Sequence, residues 1–288
     1  MAGRGQLRNT AALSGGVSSE EVPLSLAAIA HAGGTAIQRV VGSGLSRVTK
    51  PDGSPCTNAD LEAESVILSA LARAFPGTPV VTEESGASGR SLGDRFLLVD
   101  PLDGTRDFLA GRPEFTVNIA MMEKGSPRAG AVYAPALGRL YIGGTTAWVA
   151  DVAPGDGSIP ADAWRPIATR RAPAAGLVAL ESLSHRDRAT ERFLARLPLA
   201  GRRNLSSSLK FCLVAAGEAD VYARFGPTME WDIAAGDAVL TAAGGTMMSP
   251  TGEPLSYGRI DRGFRNEAFV AWGDPLYAGG FLAMMSDD

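Results

Sequence analysis

The apolar run Phe96-Leu97-Leu98-Val99 ends on Asp100-Pro101-Leu102-Asp103-Gly104-Thr105, and this junction constrains the chain more than any other segment. A short apolar run stopped by an acidic residue fits a buried strand, whose end then holds a carboxylate. Pro101 stiffens the turn, and Asp103 follows three residues after Asp100. Two carboxylates so crowded repel each other unless a cation lies between them. Hard divalent ions such as Mg²⁺ take carboxylate and carbonyl oxygens and share their sites with substrate phosphate. Gly104 and Thr105 add backbone N–H donors at a loop or helix start, which suit a phosphate. The same residues also fit a strand followed by an Asp-Gly hairpin turn, so the segment alone leaves both interpretations open.

Other carboxylates repeat the arrangement. Val80-Val81-Thr82 runs into Glu83 and Glu84, Asp232 opens a helix after Trp231, and Asp60 lies just inside a helix beside Thr57. Each has a plain explanation, as a solvated turn or as a charge favourable to a helix N-terminus. Their weight comes from occurring together with a Gly-Thr phosphate cradle. Phosphatases of the haloacid dehalogenase type also place Asp before Gly-Thr, but with one residue between their two aspartates, whereas two separate Asp100 from Asp103. A Ser-His-Asp hydrolase is poorly supported, with His31 and His185 the only histidines and no G-x-S-x-G elbow. A dinucleotide fold would need a G-x-G-x-x-G turn that the chain lacks.

Composition narrows the partners. With 27 Lys+Arg against 31 Asp+Glu the net charge is −4, which disfavours a nucleic-acid partner but not a small anion. The two cysteines, Cys56 and Cys212, form no CxxC or Cys/His cluster, so any metal must rest on oxygen ligands and a reducing compartment is expected. Ser14, Gly15 and Gly16 interrupt the only signal-like stretch, and no apolar run approaches the ~20 residues of a membrane span. The expected location is cytoplasmic, with peripheral attachment to the inner membrane left open. Residues 1–18 are expected to form a frayed tail.

Helical spacing covers Leu26, Ile29, Gly33, Ile37 and Val40, then Leu61, Leu68, Leu71 and Phe75 from a start near Thr57 to Pro76-Gly77. Strands follow at Val80-Val81 and Phe96–Val99, then a hairpin from Phe115–Ile119 through Lys124–Pro127 to Ala131–Tyr133. Beyond a Pro- and Gly-rich stretch at Asp151–Pro160 come strands at Leu177–Leu180 and Val221-Tyr222. Helices are expected around Thr190–Leu197, Ser208–Ala216 and Ile233–Ala243. The mixture lacks strict βαβ alternation, so the class is α+β, in layers. The stretch at 151–160 suggests an N-terminal α+β domain over 19–150 with most candidate ligands, and a C-terminal α/β domain over 151–288 with Asp232. A long surface loop inside one domain is the alternative.

Val99-Asp100-Pro101-Leu102-Asp103-Gly104-Thr105 and Trp231-Asp232-Ile233-Ala234-Ala235-Gly236 together resemble the two signatures of the lithium-sensitive, magnesium-dependent phosphatases related to inositol monophosphatase. The resemblance runs from about residue 24 to 275 and implies the layered α/β/α/β/α sandwich of the inositol monophosphatase and fructose-1,6-bisphosphatase type. Within the family the chain is most similar to bacterial 3'(2'),5'-bisphosphate nucleotidases. That similarity lies in Lys50–Pro55, Glu114–Ala120, Val132–Pro135, Ser207–Cys212 and Phe225–Thr228. It implies hydrolysis of the 3'-phosphate of adenosine 3',5'-bisphosphate to AMP, with phosphoadenosine phosphosulfate as a further substrate. Inositol monophosphatase is the alternative, and a non-catalytic nucleotide or metal sensor is a third possibility that the complete ligand set disfavours.

By the same resemblance, Glu83 and Asp100 would hold a first Mg²⁺ with the Leu102 carbonyl, and Asp100, Asp103 and Asp232 a second, with room for a weaker third near Glu83. Asp60 and Thr105 would activate the attacking water, and Gly104 and Thr105 would grip the phosphate. Ser207 and Lys210, together with Asp103 and Asp232, would contact substrate. The resemblance permits a monomer or a homodimer. Three positions depart from the family pattern: Arg106-Asp107 replaces Lys-Glu, Ser206 replaces a Gly, and Asp237 replaces a His.

Overall fold

The computed structural model describes residues 20–50, 53–87, 91–155, 157–184 and 187–286; the expected tail, Pro51, Asp52 and His185 lie outside them. Helix α1 (Val22–Ser43) buries Leu26, Ile29, Gly33, Ile37 and Val40, the stripe expected from their spacing. Helix α2 (Asn58–Ala74) buries Ala59, Ala63, Ile67 and Leu71, whereas Leu61 is exposed. The inner face is therefore set by steps of four, and its alanines let α2 lie close to α1. Thr57 caps α2: its side chain accepts the Ala59 N–H while the Asp60 carboxylate accepts the Thr57 N–H, a reciprocal capping box. A two-stranded ribbon, β1 (Arg47–Thr49) and β2 (Pro55–Thr57), links the helices.

The next eight strands form one sheet. They are β3 (Val80–Thr82), β4 (Gly86–Ala87), β5 (Arg95–Asp103), β6 (Thr116–Glu123), β7 (Ser126–Ala134), β8 (Arg139–Gly143), β9 (Ala147–Asp151) and β10 (Trp164–Ile167). Their order is β4-β3-β5-β6-β7-β8-β9-β10, and only the β3–β5 pair is parallel. The expected hairpin is β6–β7, turning at Lys124-Gly125. The Pro- and Gly-rich stretch after Asp151 joins β9 to its neighbour β10, so the first sheet runs on to Ile167.

A second sheet follows. It contains β11 (Leu177–Ser182), β12 (Leu199–Leu205), β13 (Val221–Arg224), β15 (Thr246–Met248) and β17 (Phe269–Trp272), in the order β12-β11-β13-β17-β15. A ribbon of β14 (Thr228–Met229) and β16 (Arg265–Asn266) stands beside it. Helices α5 (Leu209–Ala215) and α6 (Glu230–Ala242) fill the space between the sheets, where Leu98, Val132 and Tyr141 meet Phe211, Val239, Tyr222 and Phe269. On the outer faces, α1 and α2 cover the first sheet, while α4 (Arg188–Leu194) and α7 (Pro275–Ser286) cover the second. The layers are α/β/α/β/α, as expected. Gly143 lets α6 ride directly on the sheet, since a Cβ there would sit 2.5 Å from the Val239 Cα.

Candidate active site

Parallel pairing puts the ends of β3 and β5 at the same edge, with Thr82 opposite Val99. The next residues, Glu83 and Asp100, therefore leave the sheet side by side, and α6 aims Asp232 at them from the opposite layer. One carboxylate oxygen from each of the three lies within 4.8 Å of the others. Asp100 is 1% exposed, and its Oδ1 accepts the Leu102 N–H at 3.0 Å. Asp232 Oδ2 accepts the Met229 N–H at 2.9 Å, so this residue caps its own helix while facing the cluster. Asp103 stands just outside the tight group, with Oδ2 accepting the Ser208 N–H at 2.7 Å.

Burial raises the carboxyl pKa of all four, and charge repulsion adds to this at Glu83, Asp100 and Asp232. Burial, reinforced by Glu83, Asp103 and Asp232, holds Asp100 well above the usual carboxylate range. Burial and the Asp103 charge push Asp232 up to about 8. Burial also raises Asp103, against the pull of Lys210. Glu83 is raised by burial although Lys50 opposes this, its Nζ lying 2.8 Å from Glu83 and 2.7 Å from Glu84. Burial alone would lower the Lys50 pKa, but the two glutamates reverse that and hold it above the ordinary lysine value.

This donor set fits a hard divalent cation: it is all oxygen, crowded, and has already drawn an ammonium onto one of its members. The fit has a pH consequence. Groups whose carboxyl pKa is raised by folding hold more protons folded than unfolded, so stability falls as pH rises through the interval between the two values. Metal-free protein should therefore lose melting temperature from about pH 4 to about pH 8, the upper end set by Asp232. A saturating divalent cation should recover most of the loss at the top of that window. Calorimetry in chelator and in added cation checks this, and a metal-free melting temperature that climbs across the window contradicts it.

Beside the cluster, Thr105 opens the short helix α3 (Thr105–Leu109), and its hydroxyl lies 3.1 Å from both Asp60 Oδ1 and the Leu102 carbonyl. The other Asp60 oxygen is engaged by Thr57, at 2.8 Å from its N–H and 2.5 Å from its hydroxyl. Asp60 is fully buried, which raises its pKa against the hydrogen bonds from Thr57 and Thr105. Gly104 takes φ +89°, a left-handed turn that a side chain would strain, and α3's own ladder begins only with Asp107 N–H to the Gly104 carbonyl. Asp60, Glu83, Asp100, Leu102, Asp103, Gly104, Thr105 and Asp232 thus converge. A cleft of about 510 Å³ opens onto them, except for Asp60, which lies behind Thr105.

Ser207 and Lys210 line a smaller pocket beside the cluster, together with Asp103, Gly104 and Asp232. Lys210 is 2% exposed, because α5 is buried between the sheets; its ammonium donates to the carbonyls of Ser207 at 2.6 Å and Leu205 at 3.3 Å. Burial brings it down to about 8, opposed by the Asp103 charge. Ser207 adopts φ +54°, and its hydroxyl donates to the Glu114 carbonyl. Both residues hold the 205–208 loop that presents the Ser208 N–H to Asp103.

Two of the departures from the family pattern meet here. The Ser206 hydroxyl donates to Asp107, which also accepts from the Ser184 hydroxyl and the Arg112 guanidinium. The carboxylate one carbon shorter than Glu finds in Ser206 a donor that Gly could not supply. Asp237 is taken up by the Tyr257 hydroxyl at 2.7 Å and the Thr241 hydroxyl at 3.1 Å. Sequence reasoning did not assign Lys50, Asp107 or Ser206 to the site. The segment around Lys50 carries a signal as one of the stretches similar to the nucleotidases, and Asp107 and Ser206 carry one only as departures from the family pattern.

Comparison with known proteins agrees with this geometry. The family model described as the inositol monophosphatase family matches residues 19–271. The chain is 40% identical to the 3'(2'),5'-bisphosphate nucleotidase CysQ of Escherichia coli K12 over 213 residues, covering 73% of this chain and 82% of the relative. It is 37% identical to a histidinol-phosphatase of Mycobacterium tuberculosis over 213 residues, covering 71% and 77%. The crystal structure of CysQ from Bacteroides thetaiotaomicron superposes with a TM-score of 0.73 at 31% identity, covering 88% of this chain and 97% of that one. No helix among the described residues is long and apolar enough to cross a membrane. The chain belongs to the inositol monophosphatase family.

Proposed function

We propose that the protein is a Mg²⁺-dependent 3'(2'),5'-bisphosphate nucleotidase that hydrolyses the 3'-phosphate of adenosine 3',5'-bisphosphate to AMP, and accepts phosphoadenosine phosphosulfate as well. The observation that carries the chemistry is the Glu83–Asp100–Asp232 cluster, built on the buried Asp100, beside the Asp60–Thr105 pair. The similarity to the CysQ nucleotidases carries the substrate class.

Glu83, Asp100 and the Leu102 carbonyl would hold one Mg²⁺, and Asp100, Asp103 and Asp232 a second, with Glu83 and Glu84 able to attract a weaker third. Bound there, the ions supply Lewis-acid charge to the phosphoryl oxygens and the attacking water. The protein's own residues do the rest. The left-handed turn at Gly104 would direct the Gly104 and Thr105 N–H groups to the phosphate, at the end of α3 favourable to anions. The Thr105 hydroxyl accepts a hydrogen bond from the nucleophilic water and passes a proton to Asp60 Oδ1, 3.1 Å away. Asp60 is suited to this because burial raises its proton affinity while Thr57 keeps it in place. Phosphoryl transfer otherwise needs positioning and charge stabilisation, which an oxygen-lined cleft provides.

Phosphate release should be assayed from adenosine 3',5'-bisphosphate, inositol 1-phosphate and histidinol phosphate, with Mg²⁺ and with chelator. The expected outcome is hydrolysis that requires the metal, with kcat/KM at least about tenfold higher for the bisphosphate, a difference of about 1.4 kcal/mol. A preference for either monophosphate overturns the substrate assignment. Tight binding without turnover would make the protein a sensor instead.

A further inference from the structure

The cleft over the carboxylates does not end at Asp232. It continues into a second opening of about 630 Å³, and the two share Ser54, Arg106, Arg224, Met229 and Asp232. The second opening adds Arg265, on β16, and Asp187, the cap of α4. Three guanidiniums thus face one cavity, and none of the three is in an ion pair among the described residues. Arg224 donates from Nη2 to the Pro227 carbonyl at 3.0 Å, while its Nε is buried with no hydrogen-bond partner. Asp187 is committed elsewhere, accepting the Thr190 N–H at 2.8 Å and the Thr190 hydroxyl at 2.6 Å.

A protein does not gather three unpaired guanidiniums around one cavity without cost. Each repels the others, and a buried donor without an acceptor is expensive. Both costs vanish when a multiply charged anion with several acceptor oxygens enters. Setting Asp187 and Asp232 against the three arginines still leaves a positive surplus of one, and it rises to two when Asp232 is engaged by a cation, which matches the −1.5 to −2 of a phosphate monoester. Arginine also supplies the forked donors that pair two oxygens of a phosphate at once. The shared wall means that a ligand with one phosphate at Gly104–Thr105 reaches this second cavity within the same molecule.

We infer that Arg106, Arg224 and Arg265 form a second anion subsite, which takes the phosphate that is not cleaved and so selects bisphosphorylated over monophosphorylated substrates. The subsite rests on the bisphosphate substrate proposed above and explains how this chain would recognise it. A nucleoside that carries phosphate on both sides of one sugar ring can satisfy both subsites. An inositol monophosphate leaves the arginines unpaired.

Arg265→Gln tests the inference at an arginine that lines only the second opening, and its exposed position leaves the fold intact. In this variant kcat/KM for adenosine 3',5'-bisphosphate should fall at least about tenfold, the value of one charge-assisted hydrogen bond. For adenosine 3'-monophosphate, which lacks the second phosphate, it should change by less than about twofold. Arg265→Lys, which keeps the charge, should recover part of the loss. Equal losses on both substrates, or no loss on either, overturn the subsite while leaving the nucleotidase assignment standing. Wild-type protein that ignores the bisphosphate altogether overturns the functional assignment itself, and the two failures are told apart by that single control.

Discussion

Asp100→Asn should reduce turnover by about 1000-fold or more, equivalent to about 4 kcal/mol of transition-state stabilisation, while raising the melting temperature of the metal-free protein. Asp100 is the one residue placed in both proposed ion sites, so its loss weakens both at once. Its carboxyl is also held well above the usual range, buried and facing Glu83, Asp103 and Asp232. Asn keeps the shape and the Oδ1 that accepts the Leu102 N–H, so the turn after β5 survives. What disappears is a carboxyl that burial and its neighbours make costly to ionise. Relief of roughly 1 kcal/mol would lift the melting temperature by about 2–4 °C for a chain of this size. Steady-state kinetics with saturating Mg²⁺ and calorimetry in chelator measure the two arms. Retained activity would refute the metal assignment, and a lowered metal-free melting temperature would refute the claim that this carboxyl is costly in the empty cluster.

This trade of stability for chemistry also accounts for the net charge of −4. Two divalent cations would cancel it. Five acidic residues, Glu83, Asp100, Asp103, Asp107 and Asp232, line a single cleft, so the charge is concentrated where an anionic substrate must bind. The metal-free protein should repel its substrate, and the loaded protein should admit it.

The β5 junction was legible in the sequence because both its signals are local: an apolar run that only a buried strand explains, and carboxylates that such a strand has no structural use for. Its partnership with Glu83 was less so, since it depends on β3 running parallel to β5, and three residues of β3 carry no direction. Asp60 and Asp232 show why a choice between a capping and a functional role can be false. Each caps its helix with one carboxylate oxygen and turns the other group outward, Asp60 to Thr105 and Asp232 to the cluster. Helical capping is what orients them.

Other features depended on layers that periodicity does not report. Every residue of α5 is buried, because the helix lies between two sheets, so Lys210 could not be distinguished from a surface lysine by spacing. β12 went unrecognised since Arg202, Arg203 and Asn204 break its apolar pattern, as suits an edge strand. The Ser206–Asp107 contact joins residues 99 positions apart in sequence. Read singly, each looked like a departure from the family pattern, and only folding reveals that they compensate.

Asp60→Asn should lower kcat by about 100-fold to 10,000-fold, the range of a lost proton acceptor, with little change in KM. The isostere preserves the helix start if its oxygen keeps the Thr57 N–H, which places the new NH₂ group toward Thr105. That reverses the polarity of the bond. The amide now donates to the Thr105 hydroxyl, whose own proton is left with the Leu102 carbonyl, also at 3.1 Å. The hydroxyl can still touch a water but has nowhere to send its proton. Thr105→Val removes the relay from the other side and should cost a similar factor. Because the two residues act as one path, the double variant should be scarcely worse than either single variant, a non-additivity that separates a relay from two independent contacts. Raising the pH should restore part of the Asp60→Asn rate, since hydroxide replaces the missing acceptor, whereas a purely structural lesion would not respond. Additive losses, or an Asp60→Asn rate indifferent to pH, would leave Asp60 as a helix cap alone.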